Sequence, residues 1–422
     1  MIQSSNLIRS SLIFTIFSAL LVISMFYRAS NAVIAPKLVK DLVLDAETLG
    51  ILGGAFFYSF ALIQIPMGPM LDRIGPRFVV TTFTLAGGLG ALLFALATSF
   101  IPALLGRVLI GAGMASIMMG ALKVFTLRFP PEKFATLMGV TLTIGTLGNI
   151  VATSPLAYLA STIGWRMTFV FASGITIFLA FLLFWALGGE SKRDAHSLAF
   201  SSSQPKIRIL QSIRLVLGSV VFWQNAVLTF FRYGTFMALQ GLWLGPYLMD
   251  TKGYSPIQTG NVLILLAVGT ILGYPISGIL SDRIVRSRKN IVILGVSLYT
   301  LTLFCLVGVV KIQSPFWYGF VFFFMGLFAS FGMVIFSHIK EIFPNTISGT
   351  VMAWLNFFTI AGVAIFMPAL GKVIQTFPRT DHSYPARAYH LSFFICFLCM
   401  VISLIFYAFP REKKDKLGIP CV

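Results

Sequence analysis

Apolar residues along this chain neither alternate with polar ones, as on a half-buried strand, nor form the single stripe of a soluble helix. They come in runs of about 20 residues or more, the length a helix needs to cross the hydrocarbon of a bilayer. Twelve such runs stand between clusters of charge or turn residues, at 11–35, 47–70, 78–99, 101–122, 136–160, 166–187, 218–248, 256–281, 290–310, 314–337, 346–375 and 387–409. Glycine and proline are scattered through them (GGLGALL, IGAGMAS, TIGTLGN), which in a membrane marks close helix packing and local kinks rather than loops. The first run follows Arg9, outlasts a signal peptide and shows no small-residue cleavage site, so it reads as the first span. The predicted fold class is an all-α membrane protein with twelve transmembrane helices.

The longest weakly apolar gap, GGESKRDAHSLAFSSSQPKIR, mixes serine with both signs of charge and has no sustained apolar period. It predicts a linker at 188–217 between six-helix halves at 1–187 and 218–410, with a basic tail at 411–422. An internal repeat supports pseudo-symmetric halves: GPMLDRIGPR, after the second run, recurs as GILSDRIVRSRK after the eighth, placing Asp72 and Asp282 210 residues apart. Lys and Arg on alternate sides of the twelve runs number 20 on the side of both termini and the linker and 8 on the other. By the positive-inside rule the termini and linker are expected in the cytoplasm.

Composition agrees: 57% of residues are hydrophobic and only 10% charged, against about 25% charged in soluble domains. The net charge of +18 is accounted for by topology and calls for no nucleic acid. Cys305, Cys396 and Cys399 lie in apolar stretches and Cys421 is next to last, so no disulfide framework, zinc site or other metal is indicated, and no cofactor is expected. There is no phosphate-binding loop, nucleophile elbow, HExxH or polar acid pair, so an enzyme is not expected.

All thirteen acids, including Asp41, Asp72, Asp250, Asp282 and Glu341, fall in loops, tails or span ends. A proton symporter needs an embedded carboxylate, and none is apparent. Three arginines are embedded: Arg28, Arg107 and Arg232. A guanidinium there costs at least about 2.5–3.5 kcal/mol and faces a partner or a wet cavity. Its fork suits a carboxylate or phosphate. Arg28 and Arg232 are 204 residues apart, close to the 210 of the repeat, which predicts similar depths in the first and seventh spans.

Twelve spans in two halves, with GxxxDRxGxR after the second and a degenerate copy after the eighth, resemble the major facilitator superfamily over nearly the whole chain. The resemblance implies that Gly68, Asp72, Arg73, Gly75 and Arg77, with Asp282 and Arg283 in the second copy, stabilise one state of a rocking transporter, with Gly68 allowing close helix approach. GRVLIGAGMA similarly resembles the superfamily's fourth-helix arginine motif, giving Arg107 a structural or gating role. FYRASNAVIAPKL and FFRYGTFMALQGLWLGPYL resemble the first and seventh helices of organophosphate:phosphate antiporters, whose two arginines from opposite halves clamp a phosphate. Two departures, Gln64 where that family has a lysine and Leu147 where it has a histidine, remove cationic groups and favour a carboxylate or zwitterion. Much of the N-terminal half also resembles a bacterial group related to the lysosomal dipeptide uniporter. Gly145, Gly148 and Pro155 match the drug-antiporter motif only loosely.

The expectation is a gradient-driven transporter of a small organic anion or zwitterion, working by alternating access as an antiporter or uniporter, with Arg28 and Arg232 meeting the acidic group. Tyr58, Gln64, Asn31, Asn149, Tyr233, Gln240 and Asn356 are further candidate substrate contacts. An amino-acid or dipeptide carrier is the alternative, followed by a drug exporter or a transporter-like sensor. The partners expected are the lipid bilayer and a small-molecule substrate, for a monomer in a bacterial inner membrane.

Overall fold

The computed structural model describes residues 2–129, 131–188, 214–309, 314–343, 347–379 and 383–409. The predicted linker lies almost wholly, and the predicted tail wholly, outside the described residues. The chain divides into two compact units, Met1–Ser203 and Gln204–Val422, and the described residues of each are almost entirely helical.

The first unit comprises α1 (Ile2–Ala29), α2 (Asn31–Leu42), α3 (Ala46–Arg73), α4 (Pro76–Leu96), α5 (Phe100–Arg128), α6 (Pro131–Val151), α7 (Ser154–Thr162) and α8 (Trp165–Ala186). The second comprises α9 (Val220–Ala238), a π turn at Leu239–Trp243, α10 (Leu244–Lys252), α11 (Pro256–Ile279) running into a π turn at Leu280–Ile284, α12 (Arg288–Leu306), α13 (Pro315–Ser330), a 3-10 turn at Phe331–Met333, α14 (Val334–Ile342), α15 (Ser348–Gln375) and α16 (Ala386–Ala408). Among the described residues ten stretches are long and apolar enough to cross a membrane, and α6 with α7, bent by 44°, makes an eleventh if the bent pair is one span. The passage α9–α10 is the polar exception, because Gln224, Asn225 and Arg232 interrupt its apolar run.

Polarity is inverted relative to a soluble protein. On α8 the exposed stripe is Phe171, Ile175, Phe178 and Trp185, whereas Thr168, Ser173 and Thr176 are buried. Ser173 donates to Gly88 O at 2.7 Å, and Thr176 shares a hydrogen bond with Tyr27 at 3.1 Å. With lipid outside, apolar burial gives no net drive, so the helices associate through small residues and hydrogen bonds. Glycine lets the backbones meet: a Cβ on Gly106 of α5 would stand 2.7 Å from Phe94 N and 2.8 Å from Gly90 O of α4.

Helix starts are locally encoded. Asp45 and Thr48 form a reciprocal capping box at α3, as do Ser255 and Gln258 at α11 with Pro256 in the first turn. The repeat is visible in backbone detail. The starts capped by Asp45 and Ser255 are 210 residues apart, as are two left-handed C-caps, Val43 (φ +52) and Gly253 (φ +65). Further upstream, the helix ends Ala29 and Ala238 are 209 apart. The second unit therefore holds one extra residue near the end of α10.

Val43 is a β-branched residue in a region that glycine adopts freely, and it is 90% exposed. Val43→Gly is expected to raise stability by about 1 kcal/mol, read as a higher thermal midpoint of the purified protein in detergent. Gly106→Ala is expected to lower that midpoint, at a cost of about 1–3 kcal/mol, since backbone atoms leave the new methyl no room.

Candidate functional site

Ser30 interrupts the first passage between α1 and α2, where Ser30 Oγ donates to Tyr27 O at 3.2 Å. Around this point the structure brings together three of the residues singled out by sequence. Arg28 is 9% exposed, its guanidinium 4.5 Å from the ring centroid of Phe60 and 5.8 Å from that of Phe56. Asn31, 1% exposed, opens α2, and neither its amide nitrogen nor its amide oxygen has a hydrogen-bond partner among the described residues. Arg107, fully buried on α5, also lies near Phe56, 5.4 Å from the centroid.

Arg107 ties three helices: NH1 donates to Tyr27 O at 2.9 Å and Nε to Leu52 O at 3.4 Å. It thus serves the carbonyl at the α1 interruption while holding α3. Gly148 allows α6 to run against α1, since a Cβ there would crowd Met25 and Phe26 N at 2.9 Å. That contact positions the neighbouring Asn149, which is buried. Tyr58 is 45% exposed and Gln64 half-buried.

In the second unit Arg232 is fully buried. Its NH1 donates to Ala329 O at 2.7 Å, just before the 3-10 turn that separates α13 from α14. Gly332 in that turn is required by the arginine, because a Cβ would meet its Nε, Cδ and Cζ. Arg232 Nε and NH2 have no hydrogen-bond partner among the described residues. Tyr233, half-buried, has its ring centroid 5.7 Å from the guanidinium. Gln240 is buried in the π turn with its Oε1 unpartnered, and Trp243 in the same turn donates to Met367 O of α15 at 3.0 Å. Asn356 is half-buried on α15.

The expectation of similar depths for Arg28 and Arg232 is corrected. With the helix ends Ala29 and Ala238 209 apart, the counterpart of Arg232 is Ile23, five residues before Arg28. That separation is about 7.5 Å along the helix and about 140° around it. The repeat of the loop motif alone hid this difference.

The loop motif differs from expectation at Gly68: among the described residues no atom lies within 4 Å of a Cβ built there, so within its own unit no close helix approach depends on that glycine. In the second copy Asp282 pairs with Arg288, and Arg283 is exposed. Arg288 also donates from NH1 to Ser281 Oγ at 2.9 Å and from Nε to Glu341 Oε1 at 3.0 Å. Gly75 does have the left-handed φ of +95 that the turn into α4 needs. Arg77 donates from Nε to Phe184 O at 3.1 Å and stacks 4.0 Å from that ring's centroid. Arg73 is exposed, and the Asp72 side chain lies outside the described residues.

Phe56, Phe60 and Trp243 were not singled out by sequence, for aromatic residues are too common in these spans to stand out. Replacing Arg107 or Arg232 by Gln is expected to destabilise the protein by about 1–3 kcal/mol, because a buried carbonyl loses its donor. Arg28→Gln is expected to cost substantially less. Unfolding midpoints of the three variants check this.

Comparison with known proteins is consistent with this architecture. The family model described as Major Facilitator Superfamily matches residues 16–335 and 233–420. A probable sulfoacetate transporter of Cupriavidus necator is 25% identical over 272 residues, 63% of this chain and 63% of that protein, so the match spans under two thirds of that relative's length. A probable hexose phosphate transport protein of Chlamydia muridarum is 23% identical over 407 residues, 90% of this chain and 86% of the relative. Among solved structures, a bacterial homolog of the human lysosomal transporter Spinster, in an inward-facing and unoccupied conformation, superposes with a TM-score of 0.74 at 19% identity, covering 94% of this chain and 96% of its own.

Proposed function

The chain belongs to the Major Facilitator Superfamily, whose members are membrane transporters rather than enzymes, and on that footing we propose that it carries a small organic anion or zwitterion by alternating access. The observation that carries the reading is the placement of a guanidinium, Arg28, at the interruption of the first passage, beside an amide, Asn31, whose buried polar atoms have no hydrogen-bond partner among the described residues. Arg28 would take the acidic group through two parallel hydrogen bonds. The Asn31 amide, both donor and acceptor, would read a hydroxyl or a second polar group of the substrate.

Relatives named for sulfoacetate and hexose phosphate carry anions that a guanidinium can fork. Within that range, Gln64 and Leu147 in place of cationic groups support a carboxylate or sulfonate over a doubly charged phosphate. Arg232, held by Ala329 O, is read as a structural cation, so the binding assignment rests on Arg28. The proposal includes a bacterial inner membrane with both termini cytoplasmic, on the Lys and Arg bias, and a monomeric carrier.

A thermal-shift panel on the purified protein tests this, since a ligand of the folded state raises the midpoint. The panel holds sulfoacetate, sugar acids, hexose phosphates, amino acids, dipeptides and hydrophobic cations. Carboxylates and sulfonates are expected to stabilise. Arg28→Lys, which keeps the charge and loses the fork, is expected to weaken their apparent affinity roughly tenfold to hundredfold. Stabilisation by hydrophobic cations alone, or unchanged affinity in Arg28→Lys, would overturn the reading.

A further inference from the structure

The first passage of each unit carries an aspartate in its last turn, Asp41 and Asp250, at the same 209-residue offset as the helix ends Ala29 and Ala238. Each aspartate is bound by the first turn of its unit's last helix. Trp165 Nε1 donates to Asp41 Oδ2 at 2.8 Å, and Tyr389 OH donates to Asp250 Oδ2 at 2.6 Å. The two latches differ in their other partner. Asp41 has the cation of Arg166 at 4.0 Å, whereas Asp250 Oδ2 takes a second neutral donor, the N–H of Tyr384 at 3.1 Å. Asp250 thereby joins α10 both to α16 and to the segment before it, while α10 itself hangs from α9 by the π turn at Leu239–Trp243.

We propose that Asp250 is a proton-binding site that fastens α10 when charged and releases it when neutral, so that acidity at the end of this unit away from the Asp282 loop sets how freely α10 pivots on its π turn. Hydrogen bonds to an ionised acceptor are roughly twice as strong as neutral ones. A proton taken from the solution at that end, and later returned to it, therefore weakens both tethers without breaking any covalent bond.

The titratable and charged groups around the latch come from every element packed there: Tyr247 and Lys252 of α10, Tyr254 before α11, Tyr318 of α13, Arg379 and Tyr384 between α15 and α16, and Tyr389 and His390 of α16. Tyr247 and Tyr318 share a hydrogen bond at 3.0 Å, the Tyr247 ring lies 5.7 Å from that of Tyr389, and Lys252 sits 5.6 Å from the Tyr318 centroid. Burial raises the Asp250 carboxyl above the usual carboxylate range. The Tyr389 hydroxyl, the Tyr384 N–H and the Arg379 charge, in that order, pull it back without cancelling the rise.

The inference is independent of which substrate the protein carries, and its test needs none. Full-length protein, with its native cysteines replaced by serine and spin labels at Thr251→Cys and Arg387→Cys, is titrated with acid. The label distance is read by pulsed electron resonance and the protonated-carboxyl band by infrared difference spectroscopy. The distance distribution is expected to broaden on acidification with the midpoint of an infrared band that Asp250→Asn removes. Asp250→Asn, the neutral isostere, is expected to be broad at every pH, and Asp41→Asn to leave the titration unchanged. Tyr389→Phe, which removes a donor to the charged form, is expected to shift the midpoint upward. A pH response that persists in Asp250→Asn, or a narrow distribution in it at all pH values, would overturn the proposal. Should Asp250→Asn fail gel filtration, an unmoved midpoint in Tyr389→Phe would do the same.

Discussion

A backbone carbonyl that loses its helical donor inside a membrane has no water to turn to, and this structure is organised around the few places where that happens. The first passage is interrupted at Ser30, and the tenth at its 3-10 turn. In each case an arginine from a neighbouring helix of the same unit reaches the carbonyl at the interruption: Arg107 on α5 for Tyr27, Arg232 on α9 for Ala329. The insertion cost of a guanidinium is offset by a bond that a neutral side chain would make more weakly. The direction is exchanged between units. In the first, the fourth passage supplies the arginine and the first receives it; in the second, the seventh supplies it and the tenth receives it.

The ends of the first and seventh passages are held separately. Beyond Ser30, α2 is held by Asp41, and beyond the π turn, α10 is held by Asp250. In the second unit, α9, the π turn and the latched α10 make the pivot and catch proposed above, built from contacts within one unit. In the first unit Arg28 and Asn31 lie on either side of Ser30, so a ligand bound there would touch the point where α1 passes into α2.

Much of this was legible in the sequence. Run length gave the spans, the Asp72 and Asp282 motifs gave the halves, and scarcity of charge made Arg28, Arg107 and Arg232 conspicuous. What escaped has physical reasons. Ser30 and the Leu239–Trp243 turn carry no proline, and their departure from the helix is set by tertiary partners such as Arg107 and Met367. The roles of the arginines depend on which helix faces which, and only the fold brings Arg232 to the carbonyl of Ala329. Asp250 was read as a span-end acid because only the fold brings Tyr384 and Tyr389 to it.

The offset between the units, 209 at the helix ends and 210 from the left-handed C-caps onward, is the trace of a duplicated half that has since gained one residue. Two copies that began alike inherit their shared features and acquire their differences. The interruptions, the latching aspartates and the loop motif belong to the inheritance and describe what any such half must do to fold in lipid. Arg28 without a counterpart at Met237, and Asp41 beside Arg166 where Asp250 accepts from the Tyr384 N–H, belong to the divergence. Selection for a particular cargo, and for when to carry it, has left its mark in that asymmetry.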